Sequence, residues 1–264
     1  MKSQKELILN RDWNVLIVLD ACRYDAFEKS YDDYLSGELS MVKSSGSETR
    51  EWLRNTFNGR KIDATYYSAN PYINSGGHGD VGHIESCFSE VIDLHLDEWD
   101  DEKGTVLPET FPRVYKGETP AILHYIQPHQ PYLAFDDDCG IQWSGAPGGN
   151  EGILFEFKKR IVPVLRKFIG DARLKALAKL IYGERPINQL DKFAREKGMI
   201  AIVDAYLYNL KRAFKSVQEI VEMVDGKVIV TADHGELLGD SERWGHPPNE
   251  NTDILRNVPW MVIE

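Results

Sequence analysis

Lys227-Val-Ile-Val-Thr-Ala-Asp-His-Gly-Glu236 is an apolar run that ends abruptly in polar residues, and it predicts a buried strand at 228–231. Continuous rather than alternating apolar residues are typical of a strand that helices cover on both faces. Asp233 and His234 follow directly, so the pattern predicts metal-ligating side chains at the carboxyl end of this strand. Gly235 allows the backbone to turn closely around such a site.

A second apolar run near the N-terminus, Asn14-Val-Leu-Ile-Val-Leu-Asp20, predicts a strand at 15–19 and also ends in a carboxylate. Two further runs predict buried strands at 64–68 and 121–126, and apolar residues at helical spacing predict one long helix at 200–224. Strands that alternate with helices predict an α/β fold, a doubly wound, mostly parallel sheet sandwiched by helices. Ligands of such sheets bind beyond the carboxyl ends of the strands. We therefore expect the polar residues at these ends to form one site.

The composition favours one large domain, 1–264, that has no nucleic-acid partner. A chain of 264 residues with 42% hydrophobic content is long enough to bury a full core. Its formal net charge of -11 argues against binding nucleic acid through the overall field, and it favours a bound cation if the substrate is an anion. The N-terminus lacks the apolar core of a signal peptide, and no run approaches the ~20 apolar residues of a membrane span. We expect no transmembrane segment and a cytoplasmic location.

Residues 135–185 are interpreted as a helical insertion over the site. The part at 136–150 is rich in Asp and Gly and predicts a loop, whereas 153–180 mixes basic and apolar residues at helical spacing. The alternative is a basic amphipathic surface helix that contacts a membrane or a partner protein. Its cationic side chains are Lys158, Lys159, Arg160, Arg166, Lys167, Arg173, Lys175 and Lys179.

Asp20 and Arg23 lie within a single strand-to-helix turn. A lone Asp at the end of a strand usually caps the following helix. Together with Asp233 and His234, however, Asp20 is interpreted as a metal ligand, because hard and borderline cations bind carboxylate oxygens. The planar guanidinium of Arg23 can hold an oxygen of an anionic ester. The alternative for Arg23 is an ion pair with Asp25 or with Asp20.

The segment Ser44-Ser-Gly-Ser-Glu-Thr-Arg-Glu-Trp-Leu53 is a small polar loop that opens onto an amphipathic helical pattern. This arrangement exposes a hydroxyl at a helix N-terminus, where the dipole and free amides stabilise an attacking alkoxide and the anion it attacks. Thr49 is the candidate nucleophile, and Ser47 is the runner-up. The alternative is that one of these residues simply caps a helix that begins near Arg50.

The segment His124-Tyr-Ile-Gln-Pro-His-Gln-Pro-Tyr132 places two imidazoles beside prolines. His129 is the stronger candidate for contacting substrate oxygens or acting as a general acid, because the flanking prolines restrict its loop. A lone histidine in a strand is more often a hydrogen-bonded core residue. For His124 both interpretations stay open.

Three more histidines lie in turn-rich segments. From Trp244-Gly-His-Pro-Pro248, His246 can reach a second metal or the oxygen of a leaving group. The loop Gly76-Gly-His-Gly-Asp-Val-Gly-His83 carries His78 and His83, but it has no lysine of the kind found in a P-loop. We interpret it as a mobile loop that borders the substrate.

The order of these motifs resembles that of the alkaline phosphatase and sulfatase superfamily, most closely its sulfatase-like branch. The resemblance spans nearly the whole chain and rests on Leu19-Asp-Ala-Cys-Arg-Tyr-Asp25, Gly46-Ser-Glu-Thr49, Gln127-Pro-His-Gln-Pro-Tyr132, Ala232-Asp-His-Gly-Glu236 and Trp244-Gly-His246. It implies an alkaline-phosphatase-like fold in which one metal ion is coordinated by Asp20, Thr49, Asp233 and His234. By the same resemblance, His129 and His246 lie near the charged group of the substrate.

Two departures from the sulfatase pattern bear on the reaction. Formylglycine-type sulfatases carry Cys or Ser in a Cys-x-Pro-x-Arg context, and none of the three cysteines lies in such a context. A Thr or Ser nucleophile instead resembles the phosphatase, phosphodiesterase and phosphoglycerol-transferase members. Gln127 stands where sulfatases usually have Asp, and because a neutral amide is a poorer ligand, one ion is favoured over two.

The predicted function is therefore that of a metal-dependent hydrolase of sulfate or phosphate esters, with phosphate esters favoured. The predicted cofactor is one divalent ion, Zn²⁺, Mn²⁺ or Ca²⁺. The expected substrate is a small-molecule or glycan anionic ester. Two alternatives stay open, a phosphoalcohol transferase that acts on a glycan or lipid and a noncatalytic protein that binds an anionic glycan. The sequence makes no prediction about the oligomeric state.

Overall fold

The computed structural model describes residues 1–135, 194 and 197–264. The strands within these residues are β1 (Lys2–Ser3), β2 (Val15–Leu19), β3 (Glu38–Lys43), β4 (Ile62–Ser68), β5 (Phe88–Asp93), β6 (Trp99–Asp100), β7 (Thr105–Val106), β8 (Ala121–Tyr125), β9 (Val228–Ala232), β10 (Leu237–Asp240), β11 (Arg243–Gly245) and β12 (Asn257–Ile263).

The helices of the same residues are α1 (Gln4–Asn10), α2 (Tyr24–Glu28), α3 (Thr49–Phe57), α4 (Leu94–Asp97), α5 (Thr110–Val114), α6 (Met199–Met223) and α7 (Asp253–Arg256), with a short 3₁₀ turn at Ile84–Cys87. No helix in the described ranges is both long enough and apolar enough to cross a membrane. The long helix α6 begins one residue before its predicted start and ends one residue before its predicted end.

Eight strands form one sheet in the order β1-β3-β12-β9-β2-β8-β4-β5. The four strands predicted from the sequence are its contiguous centre, β9-β2-β8-β4, and the three pairings among them are parallel. Every residue of β2, β8 and β9 is buried, as the continuous apolar runs predict. The predicted fold class, a mostly parallel sheet flanked by helices, is confirmed.

The edges of the sheet were not predicted. Strand β12 pairs antiparallel with both β9 and β3, which makes the sheet mixed on that side. Strand β3 exposes most of its side chains, so it lacks the apolar run that marks a central strand. The predicted insertion at 135–185 lies, except for its first residue, outside the described residues.

The parallel centre brings the carboxyl ends of its strands to one edge. Leu19 of β2 is in register with Ala232 of β9 on one side and with Tyr125 of β8 on the other. The residues that follow these strands therefore meet at this edge, as expected for ligand sites of doubly wound sheets.

Candidate metal centre

Two buried carboxylates meet where β2 and β9 end. Asp20 and Asp233 each follow the last residue of their strand, and the two strands are parallel neighbours. Oδ1 of Asp233 accepts hydrogen bonds from Ala21 N at 3.1 Å and from His234 N at 2.8 Å. These two bonds fix the carboxylate and leave its Oδ2 facing Asp20 and α3.

Thr49 is the first residue of α3, and its hydroxyl points into this group. Its Oγ1 donates to Asp233 Oδ2 at 2.7 Å and lies 3.3 Å from His234 Nε2. The N-terminus of the helix is capped by Glu48, whose side chain accepts a hydrogen bond from Glu51 N at 3.2 Å. The alternative interpretation of Thr49 as the cap is therefore wrong, and its hydroxyl is available for chemistry.

His234 offers the site a nitrogen lone pair. Its Nδ1 lies 2.8 Å from the carbonyl oxygen of Gly235. Because a carbonyl only accepts, Nδ1 carries the hydrogen and Nε2 presents its lone pair. Burial lowers the pKa of His234 well below its ordinary value, and the neighbouring His246 lowers it further, so the ring is neutral. A neutral imidazole is the form that binds metals.

The donor set fits a divalent cation. His234 Nε2 lies 3.5 Å from Asp20 Oδ1 and 3.4 Å from Asp233 Oδ2. Ligands that surround a tetrahedral ion at ~2.1 Å lie ~3.4 Å apart, so both of these separations suit atoms that share one ion. Asp20 Oδ1 is buried and has no hydrogen-bond partner within the described ranges. Burial, with the charges of Asp233 and Glu236, raises the pKa of Asp20 well above its ordinary value, which is the signature of carboxylates that lack a compensating cation.

Asn70 is a site residue that the sequence reasoning missed. It is fully buried two residues beyond β4, and its Nδ2 donates to Asp20 Oδ2 at 2.8 Å. Its Oδ1 accepts from Tyr72 N at 3.0 Å, so the amide orientation is fixed. The amide thereby holds one oxygen of Asp20 and leaves the other for an ion. Its position after a predicted strand of the parallel centre was the signal that could have found it.

Gly235 is required by a close approach of backbone. A Cβ atom at this position would lie 2.0 Å from the carbonyl oxygen of Ile254 in α7. The backbone N–H of Gly235 also donates to Leu255 O at 2.9 Å. The predicted close turn exists, and the reason is the packing of α7 against the residue that follows the ligand pair.

Ser47 has a structural role in this geometry. Its hydroxyl lies 2.9 Å from both Glu51 Oε2 and Pro247 O, and it accepts from Glu250 N at 3.0 Å. The hydroxyl thus links the loop before α3 to the segment after His246. Geometry favours Thr49 over Ser47 as the nucleophile, and that assignment stays a prediction.

The guanidinium of Arg23 is held by carboxylates. It forms two contacts of 2.9 Å with Asp25 and one of 2.7 Å with Asp240, and it also donates to the carbonyl oxygen of Glu236 at 3.2 Å. The ion pair with Asp25 that was the alternative interpretation is present, and no pair with Asp20 is seen. A substrate contact by Arg23 stays a prediction.

The β10–β11 hairpin returns His246 to the site. Its first pair in register is Leu237 with Gly245, so the two residues that flank the hairpin, Glu236 and His246, are neighbours. His246 Nδ1 lies 3.1 Å from Glu236 Oε2, and its ring centre lies 4.5 Å from that of His234. Glu236 is a second site residue for which the sequence motif predicted no role.

The Glu236–His246 pair favours a charged imidazole. Burial lowers the pKa of His246, but the Glu236 carboxylate outweighs it and raises that pKa above its ordinary value. Burial raises the pKa of Glu236, and His246 outweighs it in turn, so the carboxyl pKa falls. His129, by contrast, is kept neutral, because burial and the nearby His246 lower its pKa to about 4. These three residues therefore supply one anionic carboxylate, one imidazole that binds a proton readily and one neutral imidazole.

His129, Glu236 and His246 form a second group of possible ligands. One ligand atom from each lies within 4.8 Å of the others. The His129 and His246 rings are 5.1 Å apart, beside the first group. Such a group can hold an ion or the oxygens of an anionic ester. The amide of Gln127 is directed elsewhere, because it donates to Thr105 Oγ1 and Val106 O.

The loop that carries His129 is held by Asn209 on α6. Its Nδ2 lies 3.4, 3.1 and 3.0 Å from the carbonyl oxygens of Pro128, His129 and Pro131, and its Oδ1 accepts from Leu133 N at 2.9 Å. Asn209 is fully buried. A polar residue on the apolar face of a predicted helix was the signal that could have found it.

Asn209→Asp is expected to destabilise the protein by about 2–4 kcal/mol and to lower turnover. The new carboxylate would face three carbonyl oxygens in a buried place, where an unpaired charge is strongly unfavourable. Thermal and urea unfolding measure the first effect. Gln218→Glu, the same chemical change on the exposed face of α6, is the control and should change stability by less than about 0.5 kcal/mol. Equal stability of the two variants would contradict the role of Asn209 in holding the loop of His129.

Neither histidine of the loop at 76–83 belongs to a group of possible metal ligands within the described part of the chain. The His78 ring packs against Tyr72 at 5.2 Å, and His83 is mostly exposed beside Glu85. The loop is linked to α3, because Arg50 bonds Asp80 at 3.3 Å. A contact between this loop and the substrate stays a prediction.

Comparison with known proteins identifies structural neighbours. No protein-family profile and no curated protein sequence matches the chain. The C-terminal periplasmic domain of phosphoethanolamine transferase EptC from Campylobacter jejuni matches over 94% of this chain and 78% of its own, with 15% identity and a TM-score of 0.50. The integral membrane lipooligosaccharide phosphoethanolamine transferase A from Neisseria meningitidis matches over 94% of this chain and 47% of its own, with 13% identity and a TM-score of 0.52.

A phosphonate monoester hydrolase from Agrobacterium radiobacter matches over 95% of this chain and 68% of its own, with 14% identity and a TM-score of 0.47. The chain has the fold of the alkaline phosphatase and sulfatase superfamily. The resemblance inferred from the motifs is thus confirmed at the level of the fold. The periplasmic location of one neighbour is a property of that protein and gives no support to the cytoplasmic location predicted here, which stays a prediction.

Proposed function

We propose that this protein is a metal-dependent enzyme that transfers the phosphoryl group of an anionic ester through Thr49. The observation that carries the proposal is the convergence of Thr49 Oγ1, Asp20 Oδ1, Asp233 Oδ2 and His234 Nε2, all buried and with Asp20 Oδ1 lacking a hydrogen-bond partner among the described residues. A divalent ion held by these atoms would supply positive charge that acidifies the threonine hydroxyl and neutralises the ester.

The residues of the site suit a two-step reaction. The hydroxyl of Thr49 donates to Asp233 Oδ2 at 2.7 Å. The charge of a bound ion would favour loss of this proton to water, which leaves Oγ1 as the nucleophile. As a bond forms from Oγ1 to phosphorus, the bond from phosphorus to the leaving oxygen breaks, and His246 gives that oxygen a proton. Water or an acceptor alcohol then attacks the phosphothreonine and returns a proton to His246. Oγ1 leaves phosphorus as the alkoxide, which restores the enzyme.

The neighbouring imidazoles suit the charged end of the substrate. His246 is the better proton donor because Glu236 raises its pKa. Nδ1 of neutral His129 lies 2.6 Å from the carbonyl oxygen of Gln130 and donates to it, so its Nε2 presents a lone pair. Positioning and charge stabilisation of this kind supply most of the rate in phosphoryl transfer. A small molecule or glycan that bears a phosphate ester is the proposed substrate.

Transfer to an alcohol is the second candidate reaction. It is favoured by the two neighbours with TM-scores of 0.50 and 0.52, both of which are phosphoethanolamine transferases. The covalent intermediate is common to hydrolysis and transfer, so the same residues serve either. A noncatalytic binder of anionic glycans is less favoured, since such a protein has no need of a threonine hydroxyl aligned with a complete ligand set.

The test uses protein stripped with EDTA and refilled separately with Zn²⁺, Mn²⁺ or Ca²⁺. Release of p-nitrophenol is measured from the phosphate monoester, the phenylphosphonate and the sulfate. The proposal predicts metal-dependent release from a phosphorus ester. Adding glycerol or ethanolamine as an acceptor, and analysing the products by mass spectrometry, separates transfer from hydrolysis. Absence of both metal uptake and turnover would overturn the proposal.

Glu236→Gln is expected to move the alkaline fall of turnover to lower pH. In the wild type, the pKa of His246 is raised above the ordinary histidine value of about 6.5, so its acid form persists above that pH. The contributions to stability and turnover that depend on this proton are complete below the ordinary pKa of histidine. They are lost as the pH rises through the raised pKa of His246. Without the Glu236 carboxylate, the pKa of His246 falls toward its ordinary value. Turnover then begins to fall at a lower pH. Turnover measured as a function of pH checks this.

The control for this prediction is Glu250→Gln. Glu250 pairs with Arg243 at 3.0 Å near the same hairpin, so the variant makes the same change of charge without altering the partner of His246. Its pH profile should match that of the wild type. Coincident profiles for Glu236→Gln and the wild type would show that Glu236 does not support the proton donor.

A further inference from the structure

A buried pair, Tyr66 and His124, lies against the candidate metal centre. Nδ1 of His124, on β8, lies 2.7 Å from the hydroxyl oxygen of Tyr66 on β4. Its Nε2 lies 3.9 Å from Asp233 Oδ2 and has no hydrogen-bond partner in the part of the chain that the structure describes. Trp52 of α3 packs edge-on against the ring at 5.7 Å. A fully buried nitrogen that points without a partner toward a metal-ligating carboxylate calls for a functional explanation.

The contact with Tyr66 selects the tautomer of His124. If the tyrosine hydroxyl donates to Nδ1, its hydrogen is satisfied and the ring hydrogen lies on Nε2. The other tautomer would leave the tyrosine hydrogen without an acceptor among the described residues, and it would direct a lone pair at a carboxylate. Both consequences are unfavourable in a buried place. His124 therefore presents an N–H group to Asp233.

We infer that Tyr66 and His124 are positioning residues, and that His124 donates its Nε2–H to Asp233 Oδ2 and holds that oxygen at the metal ion. The inference rests on the proposed function, since it requires an ion at this site. In the present structure Thr49 donates to the same oxygen at 2.7 Å. A movement of about 1 Å would bring the N–H of His124 to a normal hydrogen-bond length from the same oxygen.

The pair is well placed to act in this way. Its two members lie on adjacent parallel strands and are fully buried, so neither ring can turn toward water. A metal-ligating carboxylate is usually oriented by such hydrogen bonds, and removal of the partner typically weakens metal affinity or activity by about 10- to 100-fold.

Metal affinity is the first test, measured by competition with a chromophoric chelator for Zn²⁺ and Mn²⁺. Tyr66→Phe removes only the hydroxyl, and His124→Leu removes the donor. Both should weaken affinity by about 10- to 100-fold. His124→Gln, whose amide places an N–H near the same point, should restore most of it. Tyr125→Phe is the matched control, because Tyr125 is the next residue on β8 and its hydroxyl bonds Ser216 of α6 at 3.0 Å, so affinity should not change.

The second test is ¹⁵N NMR of the metal-free protein. His124 should carry its hydrogen on Nε2 in the wild type, and this preference should be lost in Tyr66→Phe. A hydrogen on Nδ1, or unchanged metal affinity in folded Tyr66→Phe, would overturn the inference. X-ray absorption that shows one imidazole ligand fewer in His124→Leu would also overturn it, because His124 would then be a ligand.

The outcomes separate this inference from the proposed function. A wild-type protein that takes up no divalent ion would overturn both. A wild-type protein that binds the ion, with equal affinity in all four variants, would overturn only the role of the Tyr66–His124 pair. Unfolding of the metal-free variants is measured in parallel, since a purely structural role would lower stability without changing the affinity of the folded protein.

Discussion

Thr49→Ala is expected to lower turnover of the preferred ester by about 10⁴-fold or more, as loss of a nucleophile does in enzymes of this kind. The hydroxyl is the atom that would attack phosphorus, and the hydroxyl of Ser47, the other candidate, is held by contacts with Glu51 and Pro247. The fold should persist, since Glu48 rather than Thr49 caps α3. Turnover and metal content are measured on the same sample.

The matched variants are Thr49→Ser and Ser47→Ala. Serine keeps a hydroxyl at the same position, so Thr49→Ser should retain much of the activity and should accumulate a phosphoserine that mass spectrometry can detect. Ser47→Ala should retain the reaction but lower stability, because Glu250 N loses its acceptor. Full turnover in Thr49→Ala together with loss of turnover in Ser47→Ala would identify Ser47 as the nucleophile.

Asp233→Asn is expected to abolish metal binding and turnover together. The amide oxygen would stay with the two backbone N–H groups that Oδ1 now accepts, from Ala21 and His234. The NH₂ group would then face the ion and present hydrogens instead of a lone pair. We expect metal affinity to fall by more than the ~100-fold typical of a supporting partner. Isothermal titration and turnover measure the two losses.

Asp233→Asn should not lower the stability of the metal-free protein. Removing the Asp233 charge relieves the repulsion that helps raise the pKa of Asp20, so the stripped variant should be at least as stable as the stripped wild type. An ion at 100 times its Kd stabilises the wild type by about 2.7 kcal/mol, and that increment should vanish in the variant. Asp253→Asn, an exposed carboxylate at the start of α7, is the control. If the ion stabilised Asp233→Asn as much as the wild type, the ion would have to bind at another site.

The central strands and the ligand positions were accessible to sequence reasoning because both depend on local pattern. Strands covered on both faces must be continuously apolar, and the first polar residue after such a run marks the end of the strand. Asp20 and Asp233 were found in this way. Thr49 was proposed from its place at a helix N-terminus, and His246 from a turn-rich segment shortly after Asp233 and His234. The resemblance to a known family then supported both.

The residues that the sequence reasoning missed support the ligands from elsewhere in the fold. Asn70 and Asn209 are distant in sequence from the groups they hold, Asp20 and the loop of His129. Their types also occur commonly in turns and on helix surfaces. Only the packing of β4 and α6 against the site shows that both amides are buried and directed inward.

The sequence by itself determined the parallel centre of the sheet and the edge at which its ligands gather, because burial on both faces imposes a continuous apolar pattern on each strand. The tertiary structure alone decided which hydroxyl faces the carboxylates, which histidine has its pKa raised by Glu236 and which way His124 points. These choices depend on distances of a few ångströms between segments that are as far apart in sequence as Thr49 and Asp233. Hydrogen bonding and Coulomb energy change steeply over such distances, and no local pattern records them.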